Sequence, residues 1–146
     1  MGLVRRISVG LALVLVPSVA AWAGKPAEPA VVVVQHILVG FKSSVRGKTI
    51  ERTKAEAQAL AQQLLDRARA GEQFDALVRQ YTDDRHPGIY KLTNTARPRM
   101  SGARTRDQMV PGFGDVSFRL AVGESGIAPF HAVDAPYGWH VIKRLE

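Results

Sequence analysis

One run of ten residues, Val31 to Gly40, constrains the fold more than any other part of this sequence. It reads VVVVQHILVG, is apolar at every position except Gln35 and His36, and ends at a glycine. Valine and isoleucine favour strands, and the run is too short to cross a membrane as a helix. It therefore predicts a strand buried on both faces, in the middle of a sheet. Because side chains alternate along a strand, His36 shares a face with Val34 and Leu38.

A second strand-like run near the end of the sequence also carries a histidine. Gly138 to Leu145 reads GWHVIKRL and places His140 near its start. Two imidazoles on two predicted core strands have two interpretations. A buried histidine is usually a hydrogen-bonded part of the core, and only a minority are functional. The residues by themselves leave both interpretations open.

The first 23 residues have the layout of a secretory signal peptide. Arg5 and Arg6 precede an almost wholly apolar stretch, and Ala-Trp-Ala at positions 21–23 predicts cleavage after Ala23. The expected organisation is a signal peptide over residues 1–23, a Pro/Ala-rich linker over 24–30 and one domain over 31–146. We expect an exported protein, periplasmic or extracellular, that is monomeric and has no stable membrane span after cleavage. The sequence has no cysteine and therefore no disulfide, and its formal charge of +7 weakly favours acidic partners.

Two helices are predicted after the first strand. Thr53 and Glu56 stand three positions apart, as in a capping box, and apolar residues at positions 57, 60, 61, 64, 65 and 68 form one stripe. Gly71 is placed to end this helix. A second amphipathic helix is predicted from Phe74 to Tyr81.

The second half of the chain alternates short elements with connections. The pattern predicts a strand at Ile89–Thr93, an irregular loop at Asn94–Asp107, a helix at Pro111–Leu120, a strand at Ile127–Val133 and the final strand. This order indicates an α+β fold. The loop carries Arg97, Arg99, Arg104 and Arg106. Such a loop is usually a solvated surface, and the alternative is a docking site for anionic polymers or an acidic partner.

Four short pieces of the sequence, taken together, resemble one family. They are QHILV at 35–39, ALVRQYTDD at 76–84, MVPGFGDVSFRL at 109–120 and YGWHVIK at 137–143. Over nearly all of Val31–Glu146 the chain resembles the parvulin-type peptidyl-prolyl cis-trans isomerases. The resemblance implies a four-stranded antiparallel sheet surrounded by about three to four helices, with a shallow proline-binding groove.

The resemblance also implies three catalytic residues, His36, Asp84 and His140. In the family two histidines lie side by side beneath the groove, and Asp84 stands where members carry Cys or Asp. The histidines are as consistent with supporting the fold as with direct catalysis.

Three apolar residues are implied as the walls of the proline pocket. Met109 and Phe113 match two of them. The family's usual G-x-L-G pattern is replaced here by GIYKL at 88–92. Tyr90 is therefore the first choice for the third wall, and Leu92 the second.

The chemistry of prolyl isomerisation agrees with these residue types. Rotation about an Xaa-Pro bond meets a barrier of ~18–20 kcal/mol but breaks no bond, so neither a metal nor a cofactor is expected. The expected partners are unfolded or partly folded polypeptides with Xaa-Pro bonds, and no nucleic acid. The predicted function is isomerisation of Xaa-Pro bonds that assists the folding of exported proteins. The alternative is a holdase, a non-catalytic chaperone that binds peptides in the same groove.

Overall fold

The computed structural model describes residues 27–94 and 101–146. The strands are β1 (Val31–Val39), β2 (Ile89–Thr93), β3 (Ala103–Thr105), β4 (Ser125–Ala128) and β5 (Trp139–Arg144), and the helices are α1 (Lys54–Arg69), α2 (Phe74–Tyr81) and α3 (Pro111–Arg119). A single 3-10 turn at Arg106–Gln108 precedes α3. The strands form one sheet in the order β3-β2-β1-β5-β4.

The first strand occupies the centre of this sheet, as its sequence predicts. It pairs antiparallel with β2 on one side and with β5 on the other. Its register with β5 sets His36 opposite Ile142 and Leu38 opposite His140. The two histidines therefore lie diagonally across neighbouring strands, on the same face of the sheet.

Helices α1 and α2 cover the opposite face. Helix α1 begins with the predicted capping box, in which Thr53 accepts a hydrogen bond from the backbone of Glu56 and Glu56 accepts one from the backbone of Thr53. Its apolar stripe packs with that of α2 against alternate residues of the central strands. The buried members of this cluster are Ile37, Val39, Ala57, Ala61, Leu64, Leu65, Ala68, Phe74, Leu77, Val78, Trp139 and Val141.

Helix α3 packs on the face that carries the histidines. Phe113 and Phe118 of this helix are buried with residues of β1, β2, β4 and β5. The other buried members of this second cluster are Val32, Val34, Leu92, Leu120, Ala128 and Ile142. The histidines thus lie beside an apolar core at the end of the sheet where α3 begins.

The sequence-based expectation of a four-stranded antiparallel sheet is wrong in detail. The sheet has five strands and is mixed, because Ala103–Thr105 adds to the edge of β2 in parallel, with Arg104 paired to Leu92. This short strand lies inside the segment predicted to be an irregular loop. Its sequence, Ala-Arg-Thr, shows no alternation of apolar and polar residues that would predict a strand. Only the pairing of its backbone with β2 defines it as one. The described ranges contain three α-helices, which agrees with the expectation of about three to four.

The fourth strand also differs from the prediction of Ile127–Val133. It runs from Ser125 to Ala128 and ends before Pro129, which has no N–H for the ladder. Residues beyond it form a separate turn closed by a bridge between His131 and Ala135. Within the strand, Gly126 lies close to Leu120: a Cβ at this position would be 3.0 Å from a side-chain carbon of Leu120.

The predicted signal peptide over residues 1–23 lies outside the described residues, as do Arg97 and Arg99. Within the ranges 27–94 and 101–146, no helix has the length and apolar character needed to cross a membrane.

Candidate active site

The two histidines form a buried, directly bonded pair. Their Nδ1 atoms lie 3.2 Å apart, and the rings stack at 5.4 Å between centroids with 22° between their planes. A hydrogen bond between the two Nδ1 atoms needs one donor and one acceptor. The accepting ring is therefore neutral, so at most one of the two rings can carry a positive charge. Burial, reinforced by the nearby His36, lowers the pKa of His140 to about 3. His140 is therefore neutral over the physiological range.

Asp84 approaches this pair from the loop between α2 and β2. Its Oδ2 lies 3.4 Å from His36 Nε2, an ion-pair distance that falls short of hydrogen-bond geometry. The adjacent His36 imidazole lowers the pKa of the Asp84 carboxyl below its ordinary value, while partial burial opposes this shift. Asp84 is thus a carboxylate at neutral pH, and about a third of its side chain remains exposed.

Several hydrogen bonds fix the loop that carries Asp84 to β1. At its start, Asp83 donates its backbone N–H to the carbonyl of Leu38, and its Oδ2 accepts the N–H of Gly40 at 2.8 Å. At the end of the loop, the buried Gln35 of β1 donates its side-chain amide to the carbonyl of Pro87 at 2.9 Å. The same amide donates to Asp75 Oδ1 of α2, also at 2.9 Å. The Asp83 side chain is therefore turned towards the end of β1.

Gly88 closes the same loop directly against His36. Its carbonyl accepts the backbone N–H of His36 at 3.0 Å. Its φ of +63° is in the left-handed region, and a Cβ there would lie 2.9 Å from the carbonyl oxygen of His36. Glycine is thus required for the loop to approach the strand this closely.

A cavity of about 450 Å³ opens above the histidine pair. It is lined by all six residues that the sequence assigned to the site: His36, Asp84, Tyr90, Met109, Phe113 and His140. The rings of Tyr90 and Phe113 meet edge to face at 6.0 Å, and each lies within 5.4 Å of the His36 ring. Leu92, the second choice for the third wall, is fully buried in the core and does not line the cavity.

The two pocket walls that the resemblance implied come from different elements. Met109 and Phe113 are four positions apart but do not lie on one helix, because α3 begins at Pro111 and Met109 follows the 3-10 turn. Phe113 is only 1% exposed and belongs to the second core cluster. Met109 is partly exposed and packs against that cluster from outside. Phe113 is therefore both a wall and a core residue.

Sequence reasoning missed several residues that line this cavity. They are Leu38, Val45, Arg46, Arg104, Gln108, Val110 and Tyr137. Leu38 could have been predicted, because the alternation of side chains in β1 puts it on the same face as His36. Apart from Arg104, the others come from segments outside the strands and α-helices, whose path no periodic pattern predicts. Arg104 reaches the cavity only because β3 adds to the sheet.

Not every arginine of the predicted loop is solvated. Arg106 bonds to Glu28 at 2.7 Å, to Asn94 at 3.0 Å and to Asp115 at 2.5 Å. These bonds tie the segment before β1 to the start of α3. Arg106 is thus a structural residue. Across the described residues there is no group of three or more His, Cys, Asp or Glu side chains placed to hold a metal ion.

The chain is similar to known isomerases and chaperones. Chaperone SurA of Albidiferax ferrireducens is 38% identical over 89 residues, which cover 61% of this chain and 17% of that protein. Chaperone SurA of Chromohalobacter salexigens is 33% identical over 111 residues, which cover 75% of this chain and 21% of that protein. The chain thus spans only about a fifth of the length of these curated relatives.

Two solved structures share the fold. Peptidyl-prolyl isomerase ESS1 from Candida albicans superposes with a TM-score of 0.59 at 23% identity, over 80% of this chain and 63% of that one. The solution structure of TbPIN1 gives a TM-score of 0.59 at 22% identity, over 80% of this chain and 98% of that one.

The sequence profile of the PPIC-type PPIase domain matches residues 20–146, which is most of the chain. This match identifies the family: the chain belongs to the PPIC-type, or parvulin-type, peptidyl-prolyl cis-trans isomerases.

Proposed function

We propose that the protein catalyses cis-trans isomerisation of Xaa-Pro bonds in exported polypeptides and so assists their folding. The observation that carries this proposal is the cavity above the histidine pair, where aromatic and thioether walls stand beside one carboxylate. Tyr90, Met109 and Phe113 hold the proline ring by apolar contact. The proposed substrate is therefore a flexible segment that can present a proline to an open groove.

The proposed mechanism lowers the rotational barrier by favouring the twisted amide over the planar one. A planar amide carries partial negative charge on its oxygen, and this charge decreases when the bond twists. With the carbonyl before the proline turned towards Asp84, the carboxylate and the apolar walls disfavour the charge-separated planar form. Groups that interact better with the twisted state than with the planar state accelerate the reaction. In this mechanism Asp84 is the catalytic residue.

The histidines act as positioning residues in this proposal. The Nδ1–Nδ1 bond holds both rings in one orientation, and the contact from His36 Nε2 keeps Asp84 ionised at the cavity. Neither ring needs to exchange a proton, which agrees with the burial of His140.

Exchange NMR on a short Ala-Pro peptide tests the activity. We expect the parent to catalyse exchange, and Asp84→Asn to lower kcat/KM about tenfold, equivalent to ~1.4 kcal/mol of transition-state stabilisation. The melting temperature should change little, because about a third of the Asp84 side chain is exposed and an amide of the same size replaces the carboxylate. Glu51→Gln is the matched control, since it removes one negative charge from an exposed residue outside the cavity. Equal loss in both variants would contradict the role of Asp84.

The same experiment separates an enzyme from a holdase. The holdase alternative draws support from the two relatives that are named chaperones. A parent protein that leaves Ala-Pro exchange at its uncatalysed rate, yet suppresses aggregation of an unfolded client, would be a holdase.

Export is part of the proposed function and rests on the N-terminal sequence. N-terminal sequencing of the protein from its native host should begin at Gly24, after removal of the segment that contains Arg5, Arg6 and Ala23. Molecules that retain Met1 or Gly2 in the majority would exclude cleavage. The proposed location is the periplasm or the extracellular medium.

A further inference from the structure

The charged residues that line the cavity differ in whether they have an ion-pair partner. They are Arg46, Arg104 and Asp84. Asp84 is directed at His36, whereas neither arginine has a carboxylate within ion-pair distance anywhere in the described ranges. The two arginines and the Asp84 carboxylate together give the lining one net positive charge, the histidines left aside. A substrate carboxylate entering the cavity thus meets a favourable potential.

Arg104 is held in place at the cavity by the sheet and by an aromatic ring. Its register opposite Leu92 puts its side chain on the same face of the sheet as Leu92 and Tyr90. Its guanidinium carbon lies 5.3 Å from the centroid of the Tyr90 ring, which is a cation-π contact. Such stacking leaves the N–H groups at the guanidinium edge free to bind a carboxylate.

A comparison with Arg106, two positions later, shows that Arg104 is available for a ligand. Arg106 is hydrogen-bonded to Glu28, Asn94 and Asp115, and it lies outside the cavity lining. Arg104 is exposed and interacts with a proline-pocket wall. Arg104 at the site and the structural Arg106 are thus only two positions apart in the sequence.

We propose that Arg104 is a specificity-determining residue that favours substrates with a carboxylate side chain directly before or after the proline. The proposal rests on the isomerase activity proposed above and adds a substrate class to it. The carboxylate binds the edge of the Arg104 guanidinium while the proline ring contacts Tyr90. Tyr90 therefore links recognition of the ring to recognition of the charge.

The test compares isosteric peptides that differ by one charge. Exchange NMR would be run on peptides containing Glu-Pro and Gln-Pro, and on peptides containing Ala-Pro-Glu and Ala-Pro-Gln. We expect kcat/KM of the parent to be at least about threefold higher for the acidic member of one pair, as for a partly exposed ion pair. About 0.5 M NaCl should reduce this ratio because it screens exposed charges.

Arg104→Gln should bring the ratio of kcat/KM between the acidic and the neutral member of each pair close to one. Lys91→Gln is the matched control, since it removes a neighbouring positive charge whose strand position faces the opposite side of the sheet from Tyr90. A parent without acidic preference in either pair would overturn the proposal. A preference that survives in Arg104→Gln but is lost in Arg46→Gln would also overturn it.

Failure of the Arg104 proposal can be distinguished from failure of the isomerase activity proposed above. Exchange of the neutral peptides by the parent establishes the isomerase whatever the effect of charge. If the parent exchanges none of the peptides, NMR titration with the same pairs still decides the question, because Arg104 should then lower Kd for the acidic member by the same factor. Equal Kd values within both pairs would exclude the proposal.

Discussion

Phe113→Ala is expected to lower the free energy of unfolding by about 3–5 kcal/mol and to abolish measurable catalysis at 37 °C. Phe113 is almost fully buried and meets the rings of His36 at 5.2 Å and His140 at 5.4 Å, both edge to face. Truncation leaves a cavity beside the histidine pair and removes one wall of the proline pocket. Because natural domains are stabilised by only about 5–15 kcal/mol, this loss consumes a large part of the total. Urea denaturation followed by fluorescence measures the change.

Met109→Ala is the matched comparison for this effect. Met109 lines the same cavity but is partly exposed and only contacts the edge of the core. We expect a small loss of stability and a fall of at least about tenfold in kcat/KM on Ala-Pro peptides. If Met109→Ala destabilises the domain as strongly as Phe113→Ala does, Met109 is a core residue and not a substrate contact.

Acidification from pH 7 to pH 4.5 should destabilise the protein by about 2–3 kcal/mol through His140 alone. The pKa of His140 is about 3 in the folded protein and 6.5 in the unfolded chain. Between these values the unfolded chain binds more protons than the folded protein, so the free energy of unfolding falls as the pH falls. Asp84 contributes outside this window, because a lowered carboxyl pKa affects stability only below its ordinary value of about 3.9. Denaturant titrations at both pH values measure the difference.

His140→Gln should remove most of this pH dependence, whatever its effect on absolute stability at pH 7. His131→Gln is the control, since His131 is an exposed histidine paired with Asp134. It should retain the pH dependence of the parent. A parent with equal stability at pH 7 and pH 4.5 would show that His140 accepts a proton in the folded state, which contradicts its burial beneath the cavity.

The regular elements could be predicted because their signals are local. The position of β1 followed from continuous apolar character, and the start of α1 followed from the Thr53–Glu56 capping box. The adjacency of His36 and His140 followed from their places on two core strands together with the family resemblance. The hydrogen bond between the two Nδ1 atoms could not be predicted, because it depends on the diagonal register of β1 and β5.

The parts that could not be predicted depend on contacts distant in sequence. Strand β3 forms because the backbone of residues 103–105 meets a free edge of β2, and its side chains carry no trace of this pairing. The role of Arg104 depends on that pairing, since no spacing rule relates it to Tyr90. The burial of Phe113 likewise depends on distant contacts. Spacing of apolar residues indicates a shared face but not whether a second aromatic ring covers it.

The hydrogen bond between the histidines joins residues 104 positions apart in the sequence. A contact of such high contact order can form only after a long loop has closed, and the entropy of that closure must be offset by the pairing of β1 with β5. No partly folded chain in which β5 is undocked can hold His140 beneath the cavity. The histidine pair therefore forms only with the fold: a newly made molecule has no such pair beneath the cavity until β1 and β5 have assembled.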